Sequence, residues 1–571
     1  MAGPDASPAP PRARRPIFEA ARIVAVIVCG LVLILGLQAA RGEKRDHFGT
    51  FADEASHYLT ALMIHDYVAG GFPGHPVTFG LNYYTHRPKV AFGAWPPAFH
   101  IALAGWMLIF PVSAPSVLFF TSLLSALLVG VFFAFAHREF SLPQSLAMTA
   151  AVALAPQLHE LSEMVMADTL HALFCICAMF SLSIYLKKRR AVFVLAAGLS
   201  VALAFWTKYN AVLLAIAIPL TIVISRAWWI LRRKAAWAAA AIVAVLVGGW
   251  EMWAMRWVFG LVEHTTTLPE AIRFYSQALV GVLGLPILLL ALAGGASAAA
   301  GAVRKHAPMR PIFAASISLI VGTWLFHSML PHETFERYML PAVPAAVILA
   351  AHGIETLTRR LPAGLAPRVV SVLVWAGILG VQAYGAMHAP ISRDSVYPFV
   401  AQFVLNNIPP GGNGVVLVSS DRDGEGALIA EVASREPQPR LWLLRASKVL
   451  GHSGWHGEEY KLRFKSDDDV LKYLDSVPVE MIVIDPPSDW RQPHHRQLRA
   501  VIAAHPEHFS LLLHTQANER CRGDYCDVEV YRSKVPASAG LPQIGVDPKE
   551  MIGRKLFKDW EVNPAPPSIP K

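Results

Sequence analysis

The chain has 571 residues and a formal net charge of +9; 54% of its residues are hydrophobic and only 16% are charged. Soluble domains carry about 25% charged residues, so a purely soluble enzyme is set aside and the apolar excess is assigned to a bilayer. The positive charges punctuate apolar runs at Lys187-Lys188-Arg189-Arg190, Arg232-Arg233-Lys234, Arg304-Lys305 and Arg359-Arg360; that is the pattern of cytoplasmic loops, not of a nucleic-acid stripe.

Residues 1–16 are rich in Pro, Ala and Arg and are expected to be a disordered cytoplasmic tail. Residues 17–40 follow as the first apolar run. Its length, and the charged Arg41–Asp46 stretch after it, favour an uncleaved spanning helix over a signal peptide. Residues 41–94 form a long first loop. Further apolar runs lie at 115–137, 144–158, 167–186, 191–206, 211–230, 236–258, 274–300, 311–330, 338–356 and 369–388. With the N-terminal Arg cluster in the cytoplasm, the basic loops at Lys187–Arg190, Arg226–Lys234, Arg304–Arg310 and Arg359–Arg368 fall on the same side. That parity places the 41–94 loop, the Glu160–Asp168 region, Thr207–Asn210, 259–273 and 331–337 outside. Residues 95–112 either re-enter or span, so the expectation for 17–390 is a polytopic α-helical membrane domain of 11 to 13 spans.

Beyond residue 390 the composition changes. Val415–Ser419, Leu441–Leu444, Met481–Asp485, Phe509–His514 and Val528–Tyr531 read as short strands. They alternate with helical stretches at Tyr397–Asn407, Glu425–Ser434, Asp468–Ser476 and His494–Ala504. This predicts a small α/β domain over 391–535, extracytoplasmic by parity, and an extended Pro-rich tail over 536–571. Cys29, Cys175 and Cys177 sit in apolar runs. Cys521 and Cys526 lie in a polar segment, where an outside location favours a local disulfide over two free thiols.

Chemistry concentrates where charge is scarce. In the first loop, Asp53 and Glu54 open a helix whose apolar face is Ala55, Tyr58, Leu59, Leu62 and Met63, ending at Gly70-Gly71. The plain alternative is that Asp53 caps the helix and Glu54 complements its dipole. Asp168 begins another apolar run, in Met164-Val-Met-Ala-Asp168-Thr-Leu-His171, and is either a functional acid at membrane depth or a helix cap. His159, Glu163, Asp168 and His171 lack strict ligand spacing, so no metal or other cofactor is expected and a divalent ion is the weaker alternative. Lys208, Arg337 with Tyr338, and His86, Arg87 and Lys89 face the same side and suit a phosphate; headgroup contact or snorkelling is the alternative.

Together these pieces resemble the polytopic glycosyltransferase-C superfamily, in particular bacterial relatives of protein O-mannosyltransferases and of the lipid A aminoarabinose transferase. The resemblance spans 17–390. Asp53-Glu54 looks like the family's Asp-Glu motif, Trp95-Pro-Pro-Ala-Phe-His its Pro-Pro-aromatic segment, and Asp168 its second acidic position. Leu203-Ala-Phe-Trp-Thr207-Lys208 looks like its Leu-Thr-Lys turn, and Arg337-Tyr338-Met-Leu-Pro341 its Arg-Tyr-x-x-Pro segment. The chain departs from the family in carrying Tyr209-Asn210 where many relatives have Gly-Pro.

The resemblance implies an enzyme of the bacterial cytoplasmic membrane that takes a sugar from a polyprenyl-phosphate donor. The acceptor is a lipid, glycan or protein hydroxyl at the outer face, and the anomeric carbon is inverted. Asp53 is then the base with Glu54 the second choice, Asp168 orients, and Lys208 and Arg337 hold the phosphate. Two other classes stand beside it. One is a transporter or lipid flippase, which predicts charged or broken helices at mid-bilayer. The other is a membrane-anchored binding protein whose α/β domain does the work, with Asp421, Asp423, Glu425 and Asp485 near strand ends.

Overall fold

The computed structural model describes residues 16–534 except 43–44, 50, 92–94, 255–265, 331–333, 363–364, 390–394, 410–413, 437–438, 453–459, 478, 486–491, 517–520 and 522–524. The expected tails at 1–16, apart from Pro16, which begins a helix, and at 536–571, and the domain boundary near residue 390, lie outside the described residues.

The membrane half opens with α1 (Pro16–Ala40), then three helices of the long loop and its exit: α2 (Ala52–Ala69), α3 (Pro76–His86) and α4 (Ala98–Met107). It continues with α5 (Ala114–Ala136), α6 (Leu142–Ala153), α7 (Pro156–Ser162), α8 (Asp168–Lys188), α9 (Ala191–Thr207), α10 (Leu213–Ile224) and α11 (Lys234–Ala254). It closes with α12 (Leu268–Leu283), α13 (Leu285–Arg304), α14 (Pro311–Met329), α15 (Ala342–Thr358) and α16 (Leu365–Met387). Among the described residues, seven helices are long and apolar enough to cross a membrane, and four shorter apolar helices of 10–17 residues accompany them.

Some hydropathy runs hold more than one helix, because helices break inside them. The 274–300 run is two helices: Gly284 adopts φ +71, a left-handed conformation only glycine takes cheaply, and Pro286 starts α13. The 144–158 run breaks ahead of Pro156, which lacks the N–H needed to continue α6. The ambiguous 95–112 stretch contains only the 10-residue α4; at 1.5 Å per residue this is about half the hydrocarbon thickness, and α4 packs on α2 and α5 instead.

Glycines set the closest helix approaches. A methyl on Gly294 of α13 would overlap the Leu349 carbonyl oxygen and sit 2.8 Å from the Gly353 nitrogen of α15. Without a hydrophobic driving force between helices in lipid, such backbone contact is a main source of association. Gly294→Val is expected to cost about 1–3 kcal/mol by overpacking, read as a lowered Tm in detergent; an unchanged Tm would show that α13 and α15 do not pack this closely.

The C-terminal half begins with α17 (Tyr397–Asn407), β1 (Val415–Ser419), α18 (Arg422–Arg435), β2 (Trp442–Arg445) and α19 (Ala446–Val449). After a short ribbon of β3 (Gly451–His452) and β4 (Lys461–Leu462) come α20 (Asp467–Ser476), β5 (Met481–Ile484), α21 (Pro493–Ala504), β6 (Phe509–His514) and β7 (Glu529–Ser533). The main sheet has the order β2-β1-β5-β7-β6. β2, β1 and β5 are parallel, and β7 and β6 add antiparallel. The central strands are buried on both faces, as parallel strands under helices must be. Cys521 and Cys526 form a disulfide with Cα atoms 5.6 Å apart.

In open parallel sheets ligands take the crevice where strand order reverses, here at the carboxyl ends of β1 and β5. Among the described residues, buried side chains bond one another there. Tyr397, fully buried, donates its hydroxyl to Asp485 at 3.0 Å, Ser420 donates to the same carboxylate, and Tyr525 donates to Asp421 at 2.7 Å.

Candidate active site

Asp53 sits in the first turn of α2, behind an extended Phe51. Its side chain is 33% exposed, whereas that of Arg337 is 6% exposed. An Arg337 Nη2 donates to Asp53 Oδ2 at 2.7 Å. Arg337 comes from a short 3-10 turn, Glu336–Met339, between α14 and α15. Its guanidinium lies 4.6 Å from the Phe51 ring centre, 4.2 Å from Phe335 and 5.5 Å from Tyr338, a cage that fixes the planar group by cation–π contact.

Asp168, the first residue of α8, lies on the other side of Arg337. Its Oδ2 is 3.9 Å from Arg337 Nε, and its Oδ1 accepts from Lys208 Nζ at 2.6 Å. Lys208 is held in the extended break between α9 and the next 3-10 turn, with Nζ 4.4 Å from the Tyr338 ring centre. The result is a row of alternating charge, Asp53–Arg337–Asp168–Lys208, whose formal sum is zero. That balance lets four charges persist where few are tolerated. Burial lowers the Lys208 pKa and Arg337 reinforces this, while Asp168 works against it. Burial opposes the charge on Arg337 too, but Asp168 and Asp53 outweigh it and hold its pKa above the ordinary value. Burial raises the Tyr338 phenol.

The remaining expected site residues separate from this row. Glu54 is fully buried and accepts the Val165 N–H at 3.0 Å, pinning α2 to the segment that enters α8. Arg87 is 1% exposed; it donates to Tyr83 at 2.7 Å and to the Glu436 carbonyl at 2.9 Å, so its guanidinium joins the two domains. His86 packs against the Trp442 ring at 4.0 Å, and burial lowers its pKa to about 4. The structure therefore does not bring His86 and Arg87 to Asp53. Lys89 lies between the halves; burial, then Arg445, bring it down to about 7, against the pull of Asp423, Glu425 and Asp53.

The residues weighed as metal ligands do not converge. His159 bonds the Ala153 carbonyl at 2.9 Å, Glu163 takes a bidentate Arg41, and His171 faces Cys175 and the Ala204 carbonyl. The acidic turn at Asp421–Glu425 is equally spent. Asp421 caps α18 by accepting from Asp423 and Gly424, and Glu425 accepts from Arg445 and Ser447.

His57 is a neighbour that sequence reading passed over. It lies one turn beyond Asp53, stacks on Trp95 at 4.1 Å, and its Nδ1 is 2.9 Å from His100 Nε2. Burial, then His100, then Lys208 and Arg337 lower its pKa and keep the ring neutral. The i, i+4 spacing from Asp53 and the His in Trp-Pro-Pro-Ala-Phe-His were the available signals.

Among the described residues, helices long and apolar enough to cross a membrane carry a charged row at their ends with an α/β domain against them, and the solved structures that share this arrangement have the glycosyltransferase-C fold. The profile of the dolichyl-phosphate-mannose-protein mannosyltransferase family matches residues 94–253. ArnT from Cupriavidus metallidurans in the apo state is similar with a TM-score of 0.58 at 15% identity, over 90% of this chain and 98% of that one. ArnT from the same organism bound to undecaprenyl phosphate is similar at 0.54 and 14%, over 92% and 99%. The apo oligosaccharyltransferase of Archaeoglobus fulgidus is similar at 0.57 and 10%, over 89% and 81%. No curated protein matches the chain by sequence.

Proposed function

We propose that the chain is a membrane glycosyltransferase that moves a sugar from a polyprenyl-phosphate donor to an acceptor hydroxyl at the outer face of the cytoplasmic membrane. The observation that carries this reading is the charged row with Asp53 at its accessible end. Elsewhere in the membrane half an apolar groove of about 580 Å³ runs between α8, α9, α10 and α11. Val201, Phe205, Ala211, Val212 and Leu214 line it, so its walls bracket Lys208 in sequence. A phosphate on an isoprenoid chain needs an apolar surface for the isoprenoid and cations for the phosphate, and the protein carries both. ArnT of similar fold binds undecaprenyl phosphate, and the Cys521–Cys526 disulfide and the charge parity both favour an outside site.

The chemistry then follows. The acceptor oxygen attacks the anomeric carbon from the face opposite the phosphate, and Asp53 takes the hydroxyl proton. The C–O bond to phosphate breaks, and the released phosphate keeps the electron pair. No second acid is needed, because the leaving group is already an anion; glycosidases, which expel an alkoxide, need two. Arg337 and Lys208 stabilise the charge that develops on the phosphate. When the donor phosphate engages Arg337 it competes with Asp53, so the base is released from its ion pair as the donor arrives.

The test is sugar transfer by the purified full chain in lipid, with a panel of polyprenyl-phosphate sugars and nucleotide sugars against lipid, glycan and peptide acceptors. Transfer is expected from at least one polyprenyl-phosphate sugar and from no nucleotide sugar. Translocation of lipid across vesicles without transfer would replace this reading with a flippase.

A further inference from the structure

The crevice of the C-terminal domain holds Tyr397, Tyr525 and their carboxylate partners, bonded to one another, and the domain presses one helix against the part of the membrane domain that carries Asp53. That helix is α18. A methyl on Gly426 would lie 3.2 Å from Ala55 Cβ and 3.0 Å from Lys89 Cε, so the backbones of α18 and α2 meet two residues beyond Asp53. One and a half turns along α18, Glu431 is fully buried; one oxygen accepts the Phe48 backbone N–H at 2.6 Å and the other pairs with Arg435. Phe48 in turn packs on Tyr58 of α2, ring centres 4.3 Å apart. The chain between these anchors is the segment leading into α2, and it carries Phe51, the wall of the Arg337 cage.

We propose that the C-terminal domain is a positioning element for Asp53, with Glu431 as its key residue and Gly426 as the contact that sets the distance. The inference rests on the glycosyltransferase reading above. α2 is held on the membrane side by Glu54 and Arg337, and on the outer side by α18. Without the outer brace, the entry segment and the first turn of α2 lose their fixed relation to the donor site. Displacement of a catalytic group by about 1 Å can cost on the order of 100-fold in rate. The domain then works as a rigid bracket that stays docked throughout turnover, instead of as a binding module.

Two experiments on the full-length chain decide it. First, Ala55→Cys with Gly426→Cys places two thiols at a separation close to the Cβ spacing of disulfides, about 3.5–4.5 Å. The cross-link is expected to form under mild oxidation and to leave the transfer rate within about twofold of the uncross-linked form. Failure to cross-link overturns the docking, and a tenfold loss that reverses on reduction overturns the rigid bracket. Second, Glu431→Ala is expected to lower kcat about tenfold or more with the donor KM changed less than about twofold, while Glu431→Gln, which keeps the acceptor for Phe48 N–H, stays near the wild-type kcat. Equal loss in both variants, or a change confined to KM, overturns the assignment. If the enzymatic reading itself is at fault, the wild-type chain transfers nothing while the cross-link still forms.

Discussion

Asp53→Asn is expected to lower kcat by about 10²–10⁴-fold, the usual contribution of a positioned general base, and to lower the donor KM, because the amide no longer competes as an ion with the donor phosphate for Arg337. Asparagine keeps the size and one oxygen acceptor but cannot take the acceptor's proton. Asp53 is the accessible carboxylate at the end of the charged row, whereas Glu54, next in sequence, is fully buried against the Val165 amide. Glu54→Gln therefore serves as the contrast: it should lower Tm more than kcat, because its loss weakens the anchor of α2 and leaves the base in place. Steady-state kinetics with a saturating acceptor separate the two. Near-normal kcat in Asp53→Asn would remove Asp53 from the base role; a larger kcat loss in Glu54→Gln than in Asp53→Asn would transfer that role to Glu54.

Arg337→Leu is the second large effect. It removes the cation shared by Asp53 and Asp168 and leaves Asp168 beside only Lys208. Taking one partner from a buried charge pair costs about 3–5 kcal/mol, and losing a donor to a developing anion costs about 10²–10³-fold in rate. Both stability and donor kcat/KM should fall. Arg337→Leu combined with Asp168→Asn separates these effects, since Lys208 and Asp53 then balance each other. The double variant should recover Tm but not transfer, and a double-mutant cycle reads the coupling. Arg337→Lys keeps the charge but loses the planar fork that fills the Phe51–Phe335–Tyr338 cage, so it should restore stability better than rate. Donor kcat/KM near wild type in Arg337→Leu would exclude Arg337 from phosphate handling.

Much of this site was legible because charge is scarce in an apolar chain. Asp53, Asp168, Lys208 and Arg337 stood out at the ends of apolar runs, and parity put them on one side. The α/β alternation after residue 390 also read directly, since its strands are short apolar runs bounded by turns. What was not legible depended on partners far along the chain. Nothing local marks Arg87 as a tie to the Glu436 carbonyl, 349 positions away, and a cation before a Pro in an outer loop reads as a phosphate ligand. Nor does local sequence separate Asp53 from Glu54; a helix turns 100° between them, and only the packing of α2 decides which is buried. Gly284 was hidden for a different reason, as one glycine in an apolar run changes hydropathy little while its left-handed backbone ends a helix.

The alternating charged row has a consequence for turnover. A row of two acids and two cations is electrically neutral, so on the proposed reading a sugar phosphodiester carrying one negative charge enters at modest cost. On that reading the phosphate after transfer is a monoester, with a second ionisable oxygen and more negative charge, while Asp53 holds the acceptor's proton; once that proton leaves to solvent, both carboxylates of the row oppose the spent carrier. The site that tolerates the donor is thus poised to repel the spent carrier. A row with one carboxylate fewer would grip its product, and release of the lipid phosphate would then set the pace of the whole cycle.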